Sequence, residues 1–247
     1  MTVLLLKLAA PLQSWGVASR FTRRDTQHYP SKSGVLGLIA AAQGRRRTDP
    51  IEEALTGLEF GVRIDQPGTL IRDFQIAVSL DERTRYPLSQ RYYLSDAVFV
   101  AAVHGDRNLL HGIRDALIRP VFPLYLGRRS CPVTEPVVLG DLREGSLREV
   151  LHDTSTWQAS LRYRRQQPAV VHLPIHRDHR VGNNTGGTDG TDDIDDVLTE
   201  RTRDVPISFD PVRREYGWRT VLTEHARADN PDGHTGIHDP FAALGGA

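Results

Sequence analysis

The residues best suited to chemistry lie in one short segment, residues 125–132, with the sequence YLGRRSCP. The ring of Tyr125 can stack on a base, and Gly127 lets the backbone come close to a ligand. Arg128 and Arg129 carry forked donors that match phosphate oxygens, and the serine that follows adds a hydroxyl. The segment therefore fits a phosphate or nucleotide cradle. A tight turn with both arginines in solvent fits the same residues equally well.

A second candidate anion site lies nearer the start of the chain, at Ser31, Lys32, Ser33 and Gly34. A helix predicted to begin here would present backbone N–H groups, to which these residues add two hydroxyls and an ammonium. The segment is not a Walker motif, because the spaced first glycine of that motif is missing. An ordinary capped helix explains the same residues. The other cations of this N-terminal basic set are Arg20, Arg23, Arg24, Arg45, Arg46 and Arg47.

The formal net charge of the 247-residue chain is zero, which by itself argues against a nucleic-acid binder. The charges are unevenly distributed, however. Residues 1–135 contain 18 lysines and arginines against 13 acidic residues, and residues 136–247 contain 13 against 18. Such asymmetry indicates contact with a polyanion on one side of the molecule.

The cysteine usage and the N-terminus point to a reducing compartment. Cys131 is the only cysteine, so the chain has no intramolecular disulfide. The apolar segment 2–8 is too short to span a membrane, and it lacks the basic region and the cleavage site of a signal peptide. We therefore expect a cytoplasmic protein that makes no membrane contact.

Two segments have the composition of metal sites but not the pattern. His172, His176 and His179 lie close in sequence, but Pro174 argues against a helical arrangement and no cysteine is near. Residues 189–196 resemble a calcium loop in composition only, because the required glycine and the closing glutamate are missing. The sequence therefore predicts neither a metal nor a cofactor.

One group of residues has the types that a metal-independent ribonuclease uses. Such an enzyme needs a general base and a general acid around the scissile phosphate, and His28, Tyr29 and Lys32 would supply them. Their closeness in sequence is the only support for this site. The sequence contains no nucleophile elbow, paired-carboxylate motif or dinucleotide fingerprint.

Hydrophobic patterning predicts the order β-α-(α)-β, a long excursion and then β-α within residues 1–135. The predicted strands are 2–9, 59–65 and 97–104, and the predicted helices lie between Pro30 and Gly44, at 50–58 and at 109–117. The excursion, over about residues 66–97, is predicted to be a long hairpin. This order is compatible with an α+β, ferredoxin-like (RRM-like) core, a topology that many RNA-binding modules use.

The C-terminal half predicts a smaller β-rich subdomain over residues 136–225. Candidate strands lie near 137–139, 169–173, 205–209 and 217–223. The segment 182–196 is rich in small and acidic residues, which predicts a disordered loop. Residues 226–247 are predicted to form a flexible tail.

Three segments together resemble one family. They are residues 8–16 (LAAPLQSWG), residues 29–39 (YPSKSGVLGLI) and residues 125–132. In sequence, order and spacing they resemble the corresponding motifs of the CasD family, which belongs to the RAMP superfamily. Members of the CasD family are subunits of the type I-E CRISPR surveillance complex Cascade. The resemblance covers about residues 1–140.

The resemblance implies a non-catalytic RNA-binding subunit that serves defence against foreign DNA. Members of the family have a ferredoxin-like core with a protruding hairpin, the thumb, which here would be the excursion over about 66–97. They bind the 5′ handle of the crRNA and cap the filament of CasC backbone subunits. They also seat the large subunit CasA, which recognises the PAM on the target DNA. In a related subtype the corresponding subunit is an endoribonuclease that cuts precursor crRNA, which is the alternative function.

Carried onto this sequence, the resemblance and the basic pattern together give a set of expected RNA contacts. The set consists of Arg20, Arg23, Arg24, Ser31, Lys32, Ser33, Gly34, Arg45, Arg46, Arg72, Arg83, Arg85, Tyr125, Gly127, Arg128, Arg129 and Ser130. Trp15 either packs its loop on the sheet or contacts a base.

Overall fold

The computed structural model describes residues 2–16, 22–179 and 198–234. Its strands are β1 (Thr2–Ala9), β2 (Leu12–Gln13), β3 (Arg23–Arg24), β4 (Glu59–Gln66), β5 (Thr69–Gln75), β6 (Ser89–Ser95), β7 (Val98–Gly105), β8 (Arg143–Glu144), β9 (Val170–Asp178), β10 (Leu198–Ser208) and β11 (Glu215–Asp229). Its helices are α1 (Lys32–Ala42), α2 (Glu53–Thr56), α3 (Arg107–Ile118), α4 (Leu147–His152) and α5 (Leu161–Arg165), with a 3-10 turn at Thr154–Thr156. No helix within these ranges is long and apolar enough to cross a membrane.

Seven strands form the main sheet, in the order β10-β11-β9-β4-β7-β1-β8, with every neighbouring pair antiparallel. The first strand is apolar on both faces, which requires a position inside the sheet with both faces covered. Residues 3–6 are accordingly fully buried. Leu4 and Leu6 pack with α1 and α3 on one face, and Val3 and Leu5 pack with α4 on the other.

The strands β9, β10 and β11, from the segment 136–225 that was expected to be a smaller β-rich subdomain, extend this sheet. β9 pairs with β4, in a register that places Arg63 opposite Ile175, and β11 and β10 follow outward. The physical reason is that β4 is buried, so backbone groups on both of its edges need hydrogen-bond partners. The flexible tail expected from residue 226 also begins inside β11, which continues to Asp229. The acidic segment 182–196 lies outside the described residues.

A buried ion pair fixes the segment after α4 against β4. The guanidinium of Arg63 is fully buried and binds both carboxylate oxygens of Asp65, at 2.6 and 3.1 Å. It also donates to the backbone carbonyls of Leu151 and Asp153, each at 2.9 Å. The pair therefore satisfies its own charges and the orphan carbonyls at the end of α4.

The predicted excursion is a hairpin of β5 and β6 in a second, smaller sheet. β6 also pairs with β2 and, in parallel, with β3. The hairpin leaves a row of apolar side chains in solvent: Leu70, Phe74, Ile76, Val78, Leu80, Tyr86 and Leu88. Isolated apolar residues are common on protein surfaces, but seven exposed large apolar residues on one hairpin are typical of an interaction surface.

The first helix carries one wall of the candidate site and begins as the sequence predicts. Ser31 is its N-cap, and its hydroxyl accepts the N–H of Gly34 at 3.2 Å. The helix ends before Gly44, whose φ of +80° suits glycine. Both of its ends are therefore set by local residues.

Candidate nucleic-acid interface

A cleft of about 200 Å³ lies where the three segments singled out in the sequence meet. Residues 14–16 form one side, α1 forms the floor and residues 124–127 form the other side. Arg47 and the β10–β11 connection complete the lining. The side chains and backbone that line it are those of Ser14, Trp15, Gly16, Ser31, Ser33, Gly34, Gly37, Leu38, Ala41, Arg47, Leu124, Tyr125, Gly127, Phe209, Arg214 and Tyr216.

The segment 125–132 is a tight turn packed directly on residue 14. The N–H of Leu126 donates to the carbonyl of Cys131 at 2.8 Å, and the carbonyl of Leu126 accepts the N–H of Ser14 at 3.1 Å. Gly127 has a φ of +87°, and a Cβ at this position would stand 1.6 Å from the carbonyl oxygen of Ser14. Only glycine permits this approach. The segment is thus a turn that also lines the cleft, and its role as a phosphate or nucleotide cradle stays a prediction.

Trp15 packs rather than contacts a ligand. It is 1% exposed, and its indole N–H donates to Gln13 Oε1 at 3.1 Å. A Cβ on Gly34 would lie 2.8 Å from the indole ring, so this glycine gives the ring its place against α1. The tryptophan therefore holds residues 14–16 on the helix.

The two adjacent arginines have different environments. Arg128 lies over the ring of Tyr93, with its Cζ 4.7 Å from the ring centroid, and donates to the carbonyl of Arg24 at 2.8 Å. It therefore braces the turn against the segment that carries Arg24. Arg129 is exposed to solvent. The hydroxyl of Ser130 lies 3.4 Å from the Tyr93 hydroxyl.

The helix start expected to take a phosphate already holds a carboxylate. Asp204 Oδ2 accepts the backbone N–H of Lys32 at 2.7 Å. The ammonium of Lys32, which is 5% exposed, donates to the carbonyl of Leu58 at 2.7 Å and to Asp178 Oδ2 at 2.9 Å. Lys32 is therefore a buried structural cation and not a candidate RNA contact. Ser31 and Gly34 line the cleft but bond to each other.

Beneath the cleft, Lys32, Asp178, Asp204 and Arg219 form a buried ion network. Arg219 donates to Asp178 Oδ1 at 2.7 Å and to both oxygens of Asp204 at 2.6 and 2.9 Å. Burial alone would lower the pKa of Arg219, but the hydrogen bonds and charges of the two carboxylates raise it. Two cations and two anions balance, as a buried ionic cluster requires.

The remaining expected contacts are spread over three places. Arg47 lines the cleft and donates to the Tyr125 hydroxyl at 3.3 Å. Arg45 and Arg46 line a separate small pocket near the end of α1, where Arg45 pairs with Glu52. The others do not line the cleft: Arg23 is exposed and pairs with Asp25, while Arg72, Arg83 and Arg85 lie on the β5–β6 hairpin or its turn. Arg20 lies outside the described residues.

Three cleft residues come from a part of the chain that sequence reasoning left without a role. Phe209, Arg214 and Tyr216 lie at the end of the β10–β11 hairpin. No local motif marks them, and the sequence analysis assigned them only to a β-rich C-terminal segment. The pairing of β9 with β4 gives these residues their place in the fold. No short-range sequence pattern encodes that pairing, so the sequence analysis could not have found them.

The residues of the ribonuclease alternative do not form an acid–base site. The Lys32 ammonium is enclosed by its two acceptors, and the ring of Tyr29 is stacked on that of His176 with 4.0 Å between centroids. Burial raises the pKa of Tyr29 above its ordinary value. His28 is exposed. General acid–base catalysis needs groups that are free to reach the substrate, and the Lys32 ammonium is not.

The histidines that suggested a metal do not converge. His176 hydrogen-bonds Thr223 Oγ1 at 3.1 Å, and burial, with contributions from His225 and Arg219, lowers its pKa to about 4. Within residues 2–16, 22–179 and 198–234, no three potential metal-ligating side chains of His, Cys, Asp or Glu come together.

Comparison with known proteins agrees with the resemblance seen in the three segments. Residues 3–222 match the protein family described as CRISPR-associated protein (Cas_Cas5). The CRISPR system Cascade subunit CasD of Escherichia coli (strain K12) is 33% identical over an alignment of 157 positions, with 56% of this chain and 70% of the relative covered.

Two solved structures are similar over nearly their whole length. A chain of a CRISPR RNA-guided surveillance complex has a TM-score of 0.65 and 30% identity, with 98% of this chain and 97% of that chain covered. A crystal structure of a Cas protein has a TM-score of 0.63 and 32% identity, with 95% and 98% covered. The chain therefore belongs to the Cas5 family of CRISPR-associated proteins.

Proposed function

We propose that this chain is the non-catalytic subunit of a type I-E CRISPR surveillance complex that binds the 5′ handle of the crRNA in the cleft. The observation that carries the proposal is the convergence of the three family segments. Residues as far apart in sequence as Ser14 and Gly127 line one cavity together with Arg47 and Tyr125. Packing alone does not require arginine and tyrosine at such an opening.

The donors around the cleft suit single-stranded RNA. Arg47 in the cleft lining and the exposed Arg129 in the adjoining turn would bind phosphates, and the ring of Tyr125 offers a stacking face. The backbone at Gly127 lies open beside them. Sequence-tolerant stacking and phosphate contacts are what a fixed, unpaired RNA end needs.

The surrounding fold supports the wider role. The strand order β8-β1-β7-β4, with α1 and α3 on one face, supports our proposal of a ferredoxin-like core. We assign the β5–β6 hairpin as the thumb, with Arg72, Arg83 and Arg85 toward RNA and its apolar row toward protein. The subunit then caps the filament of CasC subunits and seats the large subunit CasA, through which it contacts target DNA indirectly.

The test is the salt dependence of handle binding. For single-stranded RNA, each phosphate contact contributes about 0.7 to the slope of log affinity against log salt. Arg47→Ala and Arg129→Ala should each weaken binding and lower the slope by about that amount. Arg128→Ala should weaken binding with little change in slope, because it braces the turn. The matched control is Arg107→Ala, because Arg107 is an exposed arginine of α3 that pairs with Glu144 and lies outside the cleft lining.

Two results would overturn the proposal. One is that Arg47→Ala and Arg129→Ala bind handle RNA like the Arg107→Ala control at every salt concentration. The other is cleavage of repeat RNA by the purified subunit that is abolished by His28→Ala, which would establish the endoribonuclease alternative.

A further inference from the structure

We propose that the end of the β10–β11 hairpin is an RNA-binding wall of the cleft, in which Arg214 and Tyr216 contact the bound strand. The inference rests on the proposed function and extends it to a part of the chain outside the three family segments. It assigns the ligand of this wall as single-stranded RNA, with Arg214 on a phosphate and Tyr216 on a base.

The hairpin end is seated on the helix that forms the floor of the cleft. The ring of Phe209 lies against α1 at Gly37, where a Cβ would be 3.5 Å from its Cζ. Arg214 and Tyr216 follow at the beginning of β11 and line the cleft with Phe209. The position therefore depends on direct packing against the helix.

The same hairpin is fixed from below by the buried ion network. Asp204 of β10 accepts the backbone N–H of Lys32 in α1, and Arg219 of β11 donates to Asp204 and to Asp178, which also accepts the Lys32 ammonium. The Arg203 guanidinium also donates to the carbonyl of Tyr216 at 2.8 Å. The wall cannot move away from α1 without breaking buried charge-assisted hydrogen bonds. A ligand thus meets a preorganised surface.

The chemistry of this wall repeats that of the wall formed by Arg47 and Tyr125. Each contributes one arginine and one tyrosine to the same cavity. Among the residues that the structure describes, the Arg214 guanidinium has no ion pair or hydrogen bond, whereas the neighbouring Arg213 lies 3.8 Å from Glu215. An arginine without an internal partner, beside an aromatic ring and facing a cleft, is suited to an external phosphate and its base.

The experiment compares three variants of the hairpin in handle-RNA binding over a salt series. Arg214→Ala should lower the slope by about 0.7 and weaken binding. Tyr216→Ala should weaken binding by about 5- to 150-fold, the usual range for a lost stacking partner, with the slope unchanged. Tyr216→Phe should bind like the wild type. Arg213→Ala, an 85% exposed arginine outside the cleft lining, is the matched control.

The outcomes separate this inference from the function on which it rests. If Arg214→Ala and Tyr216→Ala bind like Arg213→Ala while Arg47→Ala is weakened, the hairpin wall does not contact RNA and only the inference fails. If Arg47→Ala is also unchanged, the cleft is not the RNA site and both fail. Weakened binding by the two cleft variants alone, with the control unaffected, supports the inference.

Discussion

The substitution Gly127→Ala tests whether the turn at 125–132 depends on its contact with residue 14. The new Cβ would stand 1.6 Å from the carbonyl oxygen of Ser14, less than half of an ordinary contact distance, and the residue would keep a φ of +87°. Positive φ costs an L-residue about 1–2 kcal/mol. The overlap can be relieved only if the turn moves away from Ser14, which adds about 2–3 kcal/mol of overpacking.

Gly140→Ala separates the two contributions. Gly140 has a similar φ of +76°, but a Cβ there meets nothing within 4 Å. Its substitution should therefore cost the backbone contribution alone. For a protein of this size 1 kcal/mol corresponds to about 2–4 °C in Tm, so Gly127→Ala should melt about 4–12 °C below Gly140→Ala.

Thermal unfolding of both variants by near-ultraviolet circular dichroism measures this difference. Handle-RNA binding below the transition gives a second readout. Gly127→Ala should bind more weakly because the turn has moved, and Gly140→Ala should bind normally. Equal melting temperatures for the two variants would refute the claim that the turn is held by this close approach.

Two further predictions concern buried titratable groups. Asp65→Ala should lower the free energy of unfolding by about 3–5 kcal/mol in urea titrations, because it leaves the buried Arg63 charge unpaired. A double variant with Arg63→Met should recover part of this loss. A loss below about 1 kcal/mol would contradict the conclusion that Asp65 balances a buried charge. His176 has a pKa of about 4 instead of 6.5, so the unfolded chain binds a proton between these values that the folded protein does not. The free energy of unfolding should therefore fall as the pH falls from about 6.5 to 4, and His176 should contribute no pH dependence above this range. His176→Phe keeps an aromatic ring stacked on Tyr29. It should reduce the loss of unfolding free energy between pH 7 and pH 5 by about 1–2 kcal/mol. If wild type and His176→Phe lose the same unfolding free energy between pH 7 and pH 5, the lowered pKa of His176 is contradicted.

Local chemistry made several elements predictable from the sequence. The strand at 2–9 was predicted with the bounds it has, because a continuous apolar run of that length fits only a strand covered on both faces. The start of α1 was predictable because a serine cap acts within three residues. Cleft residues such as Tyr125 and Gly127 were found because unusual residue types occur together in one short segment.

Long-range pairing made the rest unpredictable. Lys32 has the composition of an anion site, but its counter-charges Asp178 and Asp204 lie 146 and 172 residues further along the chain. The pairing of β4 with β9 joins two strands about 110 residues apart in sequence, and no local pattern in either strand names the other as its partner. The charge asymmetry between residues 1–135 and 136–247 is also not visible in the part of the C-terminal half that the structure describes. In the described residues after 135 the acidic and basic residues balance at 12 each, so the acidic excess of that half falls within 180–197 and 235–247.

The participation of β10 and β11 in the cleft has a consequence for the timing of assembly. A ribosome makes the basic N-terminal residues and the turn at 125–132 well before Phe209 and Tyr216, and Lys32 stays without its acidic partners until Asp178 and Asp204 have emerged. The residues of the floor and of two sides of the cleft are thus synthesised before those of its last wall. Because sheet pairing of this range forms late, the complete cleft is a property of the finished chain. If the cleft binds guide RNA as proposed, an RNA present during translation would find all walls of the cleft in place only after β11 has been synthesised.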